Sequence, residues 1–135
     1  MKKVIFACTH SAGRSQMAAA FFNAAADPAK GRAEAAGTEP AERVHPDVAA
    51  AMSELGFDLS GAQPQKLTAE LAQDASLLVT MGCGENCPYV PGLRVEDWAL
   101  DDPKGKPAAE VRRIRDQIRS RVQQLIAREK LGGEG

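Results

Sequence analysis

The sequence predicts an α/β fold: a three-layer α/β/α sandwich around a central parallel sheet of four strands. Short apolar runs alternate along the chain with segments in which apolar residues recur at helical spacing. The first pattern is typical of buried strands and the second of amphipathic helices. Their alternation favours right-handed crossovers, which place parallel strands side by side and helices on both faces of the sheet.

Four segments are predicted strands, two of them with a strong signal. Residues 3–7 and 77–81 are short, almost continuous apolar runs, as expected for strands that are covered on both faces. Residues 32–36, just before Gly37, and residues 94–100 give weaker signals. Parallel sheets bind ligands at the carboxyl ends of their strands. The segments that begin at Cys8 and at Gly82 follow the two strong strands, so both are expected at that edge.

The helices are predicted from stripes of apolar residues. Residues 15–26 carry one stripe, Pro46 begins a second helix that Gly56 ends, and residues 68–73 form a short helix. The last helix is long and its basic residues predict a solvated polar face. Its apolar residues recur at spacings of three and four: Val111, Ile114, Ile118, Val122 and Leu125.

Composition and charge bound the function. The 135 residues are 44% hydrophobic and 26% charged, which favours one packed domain, here over residues 1–131, followed by a frayed tail over residues 132–135. A net charge of -1 weighs against a general nucleic-acid or anionic-membrane binder. The apolar runs fall far short of the roughly 20 residues that cross a bilayer. We therefore expect a cytoplasmic protein without a nucleic-acid or membrane partner.

The loop from Cys8 to Ser15 joins the first predicted strand to the first predicted helix. Small residues entering a helix direct backbone N–H groups at an anion, and Arg14 adds a planar fork of donors. These surroundings favour the thiolate of Cys8, and Ser15 can donate a hydrogen bond to it. The loop is thus predicted to be an anion receptor with a nucleophile in its floor, lined by Thr9, His10, Ser11, Ala12, Gly13 and Arg14.

The other two cysteines form a C-x3-C pair, Cys83 and Cys87. Three cysteines in the chain are too few for a secreted disulfide scaffold, and a closed zinc site needs four ligands. We predict no metal and no cofactor. Glycines before the first cysteine and between the two suit thiols that move and pair, although both can also be incidental loop thiols.

The Cys-x5-Arg-Ser loop resembles the low-molecular-weight protein tyrosine phosphatase fold, and Gln16-Met17-Ala18 is similar to its thioredoxin-coupled arsenate reductases. The likeness runs from about residue 3 to residue 125. It also includes the Ala-Gly-Thr segment ending at Thr38, residues 44–60, residues 79–81, and Trp-Ala-Leu-Asp-Asp-Pro over residues 98–103.

This resemblance implies the chemistry of each site residue. Cys8 is the nucleophile and Arg14 binds the oxyanion, which is arsenate or, in its place, phosphate or sulfate. Asp102, immediately before a proline, protonates the leaving oxygen; without the resemblance, this Asp-Asp-Pro is simply a turn. Cys83 and then Cys87 pass the disulfide outward to thioredoxin, as in a cytoplasmic arsenic-detoxifying enzyme.

Two departures from the family pattern are visible. Ser11 stands where the family usually has Asn, which helps to hold the strained loop. Ala19 and Ala35 stand where some members bind potassium through a carboxylate and a serine, so we predict no potassium site of that kind.

Two alternative functions stay open. A phosphatase acting on phosphotyrosine or a small phosphoester would use the same Cys8, Arg14 and Asp102. Its family presents aromatic residues beside the Asp-Pro loop, and residues 102–106 contain none. A non-catalytic sensor of arsenite or metal would use the three thiols, but it would need neither Arg14 nor Asp102.

Overall fold

The sheet has four parallel strands, as predicted. The computed structural model describes residues 2–81 and 92–132. The strand order is β2-β1-β3-β4, which places the first strand in the interior of the sheet. The strands are β1 (Lys2–Cys8), β2 (Gly31–Gly37), β3 (Leu77–Thr80) and β4 (Arg94–Asp97). Within these described residues, four helices lie between or after the strands: α1 (Arg14–Ala25), α2 (Pro46–Ser53), α3 (Ala69–Ala72) and α4 (Ala108–Glu129).

Two predicted ends differ from the observed ones. Strand β4 ends at Asp97 rather than at residue 100, because its pairing with β3 ends at the Thr80–Asp97 pair. The Leu100 carbonyl accepts a hydrogen bond from Arg14 outside the sheet. Helix α2 ends at Ser53, and the turn that follows reaches Gly56 at a φ of +85°. Gly132, the first residue of the predicted tail, forms an isolated bridge with Ala26, and the rest of that tail lies outside the described residues.

Apolar side chains cover both faces of the sheet, which explains why β1 reads as a continuous apolar run. On one face, Phe6 packs against Phe22 of α1 and against Trp98, with ring centroids 6.0 and 5.6 Å apart. Helix α4 completes this larger core through Ile114, Ile118 and Val122, which are fully buried. On the opposite face a smaller cluster contains Ile5, Ala7, Ala36, Leu67, Ala72 and Leu78.

Helix α4 is attached to α2 by an arginine that the sequence assigned to a solvated face. Arg115 is buried, and its guanidinium donates to the Ala51 carbonyl and to Glu54, each at 2.9 Å. Arg112 adds a bidentate contact to the same carboxylate, in which Nε donates to Glu54 Oε1 and Nη2 donates to Oε2. These bonds lie at the last turn of α2, where cationic donors are favoured by the helix dipole. They fix the orientation of α2, whose first turn lies beside the Cys8 loop.

Across residues 2–81 and 92–132, no helix is both long enough and apolar enough to cross a membrane.

Candidate active site

Cys8 lies at the carboxyl end of β1, in the floor of the loop that leads into α1. Its side chain is buried, with 3% of the residue exposed, and its Sγ lies 3.1 Å from Ser15 Oγ. A neutral thiol donates to that hydroxyl oxygen, whereas a thiolate accepts the hydroxyl hydrogen. Ser15 is itself fully buried in the first turn of α1, so the partner of the sulfur is fixed by the helix.

The loop turns its backbone donors towards its concave side. Five successive carbonyl oxygens accept hydrogen bonds from groups outside that concavity: Thr9 from Glu39 N, His10 from Ala41 N, Ser11 from Gln16 Nε2, Ala12 from His45 N and Gly13 from Met17 N, all at 2.8–3.0 Å. The peptide bonds are trans, so the N–H of each following residue points the opposite way. The N–H groups of residues 10–14 therefore point away from these partners, and such a set of successive donors is a nest, the geometry that binds anions in other proteins.

Arg14 closes this nest from the side. It is the first residue of α1 and only 8% exposed. Its Nη1 donates to the Leu100 carbonyl at 3.0 Å, and its Nη2 lies 3.8 Å from Asp102 Oδ2. The guanidinium is thus held in place by the segment that follows β4. An anchored fork is suited to binding two oxygens of a tetrahedral anion.

The two neighbouring carboxylates have different environments. Asp101 Oδ2 pairs with Arg113 Nη2 of α4 at 3.0 Å, away from the loop. Asp102 Oδ1 accepts from Lys104 N at 3.0 Å, while its other oxygen faces Arg14. The Asp102 side chain remains 49% exposed. Of the two, only Asp102 approaches the anion nest.

His45 lies at the rim of the nest, although the sequence analysis assigned it no role there. It is the N-cap residue of α2, and a β-carbon built on Gly13 would lie 3.5 Å from its Cδ2 and 3.4 Å from Pro103 Cγ. Burial lowers the pKa of His45, while the charge of Asp102 partly opposes this shift. Its position directly before Pro46, at a helix start, was the available signal. His10, which lies within the loop itself, has its Nδ1 3.0 Å from the Glu39 carbonyl oxygen.

Gly37, at the end of β2, lies directly against the backbone of the loop. It pairs in register with Cys8. A β-carbon at this position would lie 2.6 Å from both Ser11 N and Thr9 O. Real β-carbons essentially never approach backbone atoms so closely, so the loop has its present position only because residue 37 is glycine.

Cys83 and Cys87 lie outside the described residues, so their predicted pairing stays a prediction. The chain leaves β3 at the correct edge, since Thr80 pairs with Ala7 and Met81 N donates to the Ala7 carbonyl at 2.7 Å. Among residues 2–81 and 92–132, no three His, Cys, Asp or Glu side chains are grouped to hold a metal.

Comparison with known proteins gives a consistent result. Residues 3–134 match the family model described as low molecular weight phosphotyrosine protein phosphatase. A putative arsenate reductase of Halobacterium salinarum is 38% identical over 90% of this chain and 88% of its own length. A glutaredoxin arsenate reductase of Synechocystis is 37% identical over 95% of this chain and 98% of its own.

Among solved structures, a thioredoxin-dependent arsenate reductase of Corynebacterium glutamicum superimposes with a TM-score of 0.84 at 34% identity. The match covers 97% of this chain and 63% of that one, so this chain spans somewhat less than two thirds of that protein's length.

Proposed function

The chain belongs to the low molecular weight phosphotyrosine protein phosphatase family, and from this premise we propose that it is a thioredoxin-dependent arsenate reductase. The observation that carries the proposal is the buried Cys8 beneath a nest of five inward N–H groups that Arg14 closes. A nest of this kind binds a tetrahedral oxyanion over a thiolate. The relatives named arsenate reductase, 38% and 37% identical, support arsenate as that oxyanion.

In the first step, the Cys8 thiolate attacks arsenic, and a sulfur–arsenic bond forms as one arsenic–oxygen bond breaks. Asp102 donates the proton with which the departing oxygen leaves as water. The 3.8 Å separation of Asp102 from Arg14 supports this role, because the fork and the acid then meet the same anion. The alternative carboxylate, Asp101, is paired with Arg113 on the far side.

In the second step, arsenic is reduced by two electrons. The Cys83 thiolate attacks Cys8 Sγ, a disulfide forms, and the electron pair of the sulfur–arsenic bond remains on arsenic, which leaves as arsenite. Two residues of chain span at most about 7 Å. Because Met81 N already bonds to the Ala7 carbonyl, this short reach supports Cys83 as the first resolving thiol.

In the third step, the Cys87 thiolate attacks Cys83 and releases Cys8 as a thiolate. The new Cys83–Cys87 disulfide is then reduced by the dithiol of thioredoxin through exchange. We place this cycle in the cytosol, where thiols are kept reduced.

A phosphatase is the second candidate, since the family is named for that activity and hydrolysis would use the same loop. The segment after Asp102 is Pro-Lys-Gly-Lys, and it offers no aromatic ring to stack on a phosphotyrosine. This composition favours a small inorganic oxyanion over a phosphotyrosine.

The test is arsenate-dependent oxidation of NADPH with purified thioredoxin and thioredoxin reductase, with glutathione and glutaredoxin as the parallel arm. We expect turnover in the thioredoxin arm and none with Cys8→Ser, since a hydroxyl is not ionised at neutral pH. Turnover only with glutaredoxin would change the assigned reductant. Hydrolysis of a phosphoester without arsenate reduction in either arm would contradict the proposal in favour of a phosphatase.

A further inference from the structure

The anion nest contains a residue in an unfavourable backbone conformation. Ser11 has a φ of +54°, in the left-handed region, and is fully buried. Glycine adopts this conformation freely and Asn tolerates it, whereas a serine there must be held by its surroundings. Because Ser11 is in the middle of the loop, its conformation sets the direction of the N–H groups on either side.

Gln16 supplies the main contact that holds this turn. Its side chain extends back from the first turn of α1, and its Nε2 donates to the Ser11 carbonyl at 2.8 Å. The same nitrogen lies 3.5 Å from Ser11 Oγ and 3.3 Å from the Gln63 carbonyl. The residue is only 6% exposed, so this amide has little access to water. If the Gln16 amide were removed, the Ser11 carbonyl would lose this hydrogen bond, and a buried acceptor without a donor destabilises the conformation that holds it.

Gln65 supports the same residue from the other side. Its backbone N–H donates to Ser11 Oγ at 3.4 Å, and its Nε2 donates to the Ala35 carbonyl at 2.9 Å. Its own carbonyl accepts from Gly37 N at 2.9 Å, which ties the segment to the end of β2. Ser11 is therefore held between a glutamine of α1 and a glutamine anchored to the sheet.

We propose that Gln16 is a positioning residue for the anion loop, holding Ser11 in its left-handed conformation so that the N–H groups face the oxyanion. The consequence is specific: the amide acts on anion affinity through Ser11 and does not touch the anion itself. The trans peptide between Ser11 and Ala12 carries the effect, because fixing the carbonyl outward fixes the Ala12 N–H inward. This inference deepens the proposed function and rests on it for the identity of the oxyanion.

The experiment measures anion binding without requiring arsenate turnover. In full-length protein with Cys83→Ser and Cys87→Ser, only Cys8 reacts with iodoacetamide, and inorganic phosphate protects it when bound. Adding Gln16→Met removes the donor at similar volume. Less then offsets the strain of the left-handed conformation at Ser11, so the anion-binding conformation is less populated and phosphate affinity should fall by about tenfold. Gln124→Met, on the exposed face of α4, is the matched control and should leave protection unchanged.

A rescue variant separates positioning from general loss of structure. Ser11→Gly accepts the left-handed conformation without help. Added to Gln16→Met, it should restore most of the phosphate affinity, whereas a merely structural role of Gln16 would leave the loss in place. Gln16→Glu keeps the size of the side chain but directs an acceptor at the Ser11 carbonyl. If the Met variant does not fold, the same loss of phosphate protection is expected in Gln16→Glu.

Unchanged protection in Gln16→Met and Gln16→Glu, or a loss that Ser11→Gly does not restore, would overturn the inference. Phosphate protection that depends on Gln16 in a protein that never reduces arsenate would keep the inference and reject the proposed function. Arsenate reduction by a protein whose phosphate protection does not depend on Gln16 would reject the inference and keep the proposed function.

Discussion

Replacing Gly37 by alanine tests whether the position of the anion loop depends on the absence of one side chain. The added β-carbon would meet three backbone atoms: Ser11 N and Thr9 O at 2.6 Å and Cys8 O at 2.9 Å. Backbone atoms cannot move aside as the end of a flexible side chain does. The loop and the end of β2 must therefore separate.

The size of the effect follows from these distances. Reaching an ordinary contact distance of 3.4 Å from Ser11 N requires a displacement of roughly 0.8 Å. Overpacking of this kind typically costs about 1–3 kcal/mol of folding stability. The same displacement moves the anion-binding N–H groups relative to Cys8. Since a misplacement near 1 Å can cost about 10²-fold, kcat/KM for arsenate should fall by about 10–100-fold.

The assay pairs urea unfolding with steady-state arsenate turnover, and Gly61→Ala is the matched control. A β-carbon at Gly61 meets nothing within 4 Å, so this variant should be as stable and as active as the parent. Equal stability and equal kcat/KM in Gly37→Ala and Gly61→Ala would refute the close approach of β2 to the loop.

Three further perturbations test the site and the fold. Asp102→Asn should lower kcat by ~10²–10⁴-fold while sparing phosphate binding; the same loss in Asp101→Asn with an active Asp102→Asn would show that the other carboxylate is the acid. Arg14→Lys should raise the arsenate KM about tenfold or more because an ammonium cannot reproduce the planar fork, and an unchanged KM in steady-state kinetics would contradict the nest. A hydrogen bond from Arg94 holds the pKa of Glu129 at about 2, below its ordinary value of 4.5. The resulting stability is complete above pH 4.5 and is lost as the pH falls towards 2, so Glu129→Gln should lower unfolding free energy by about 1 kcal/mol at pH 7 and remove that acid-sensitive part. An unfolding free energy that changes with pH by the same amount in parent and variant between pH 4.5 and 2 would contradict this prediction.

The fold could be predicted because its signals are local. Each strand and helix is marked by a run or a stripe that lies within one segment, and the alternation of segments fixes the parallel sheet. The ends were less predictable where a distant group competes for the backbone. Leu100 illustrates this: it was predicted to lie in β4, but its carbonyl accepts a hydrogen bond from Arg14, far away in sequence.

The candidate site, like the fold, was predictable only where its signals are local in sequence. The anion loop was predictable because its residues are contiguous, from Cys8 to Ser15. His45 and Gly37 were not, since each acquires its place through packing between elements that are distant in sequence. Gln16 is only five residues from Ser11, but its contact depends on the left-handed turn at Ser11, which no residue pattern marks. Arg115 shows the limit most clearly: on sequence it belongs to a basic exposed face, yet it is buried against the end of α2.

The central claim is that Cys8 reduces arsenate at the cost of a disulfide within this chain, and a single-turnover experiment tests it most directly. Fully reduced protein is mixed with one equivalent of arsenate and no external reductant, and arsenite and disulfide-linked peptides are then quantified by mass spectrometry. We expect arsenite to form together with a Cys83–Cys87 disulfide in the parent, and with a trapped Cys8–Cys83 disulfide in Cys87→Ser. Arsenate recovered unreduced, with all three thiols still free in the parent protein, would contradict the account.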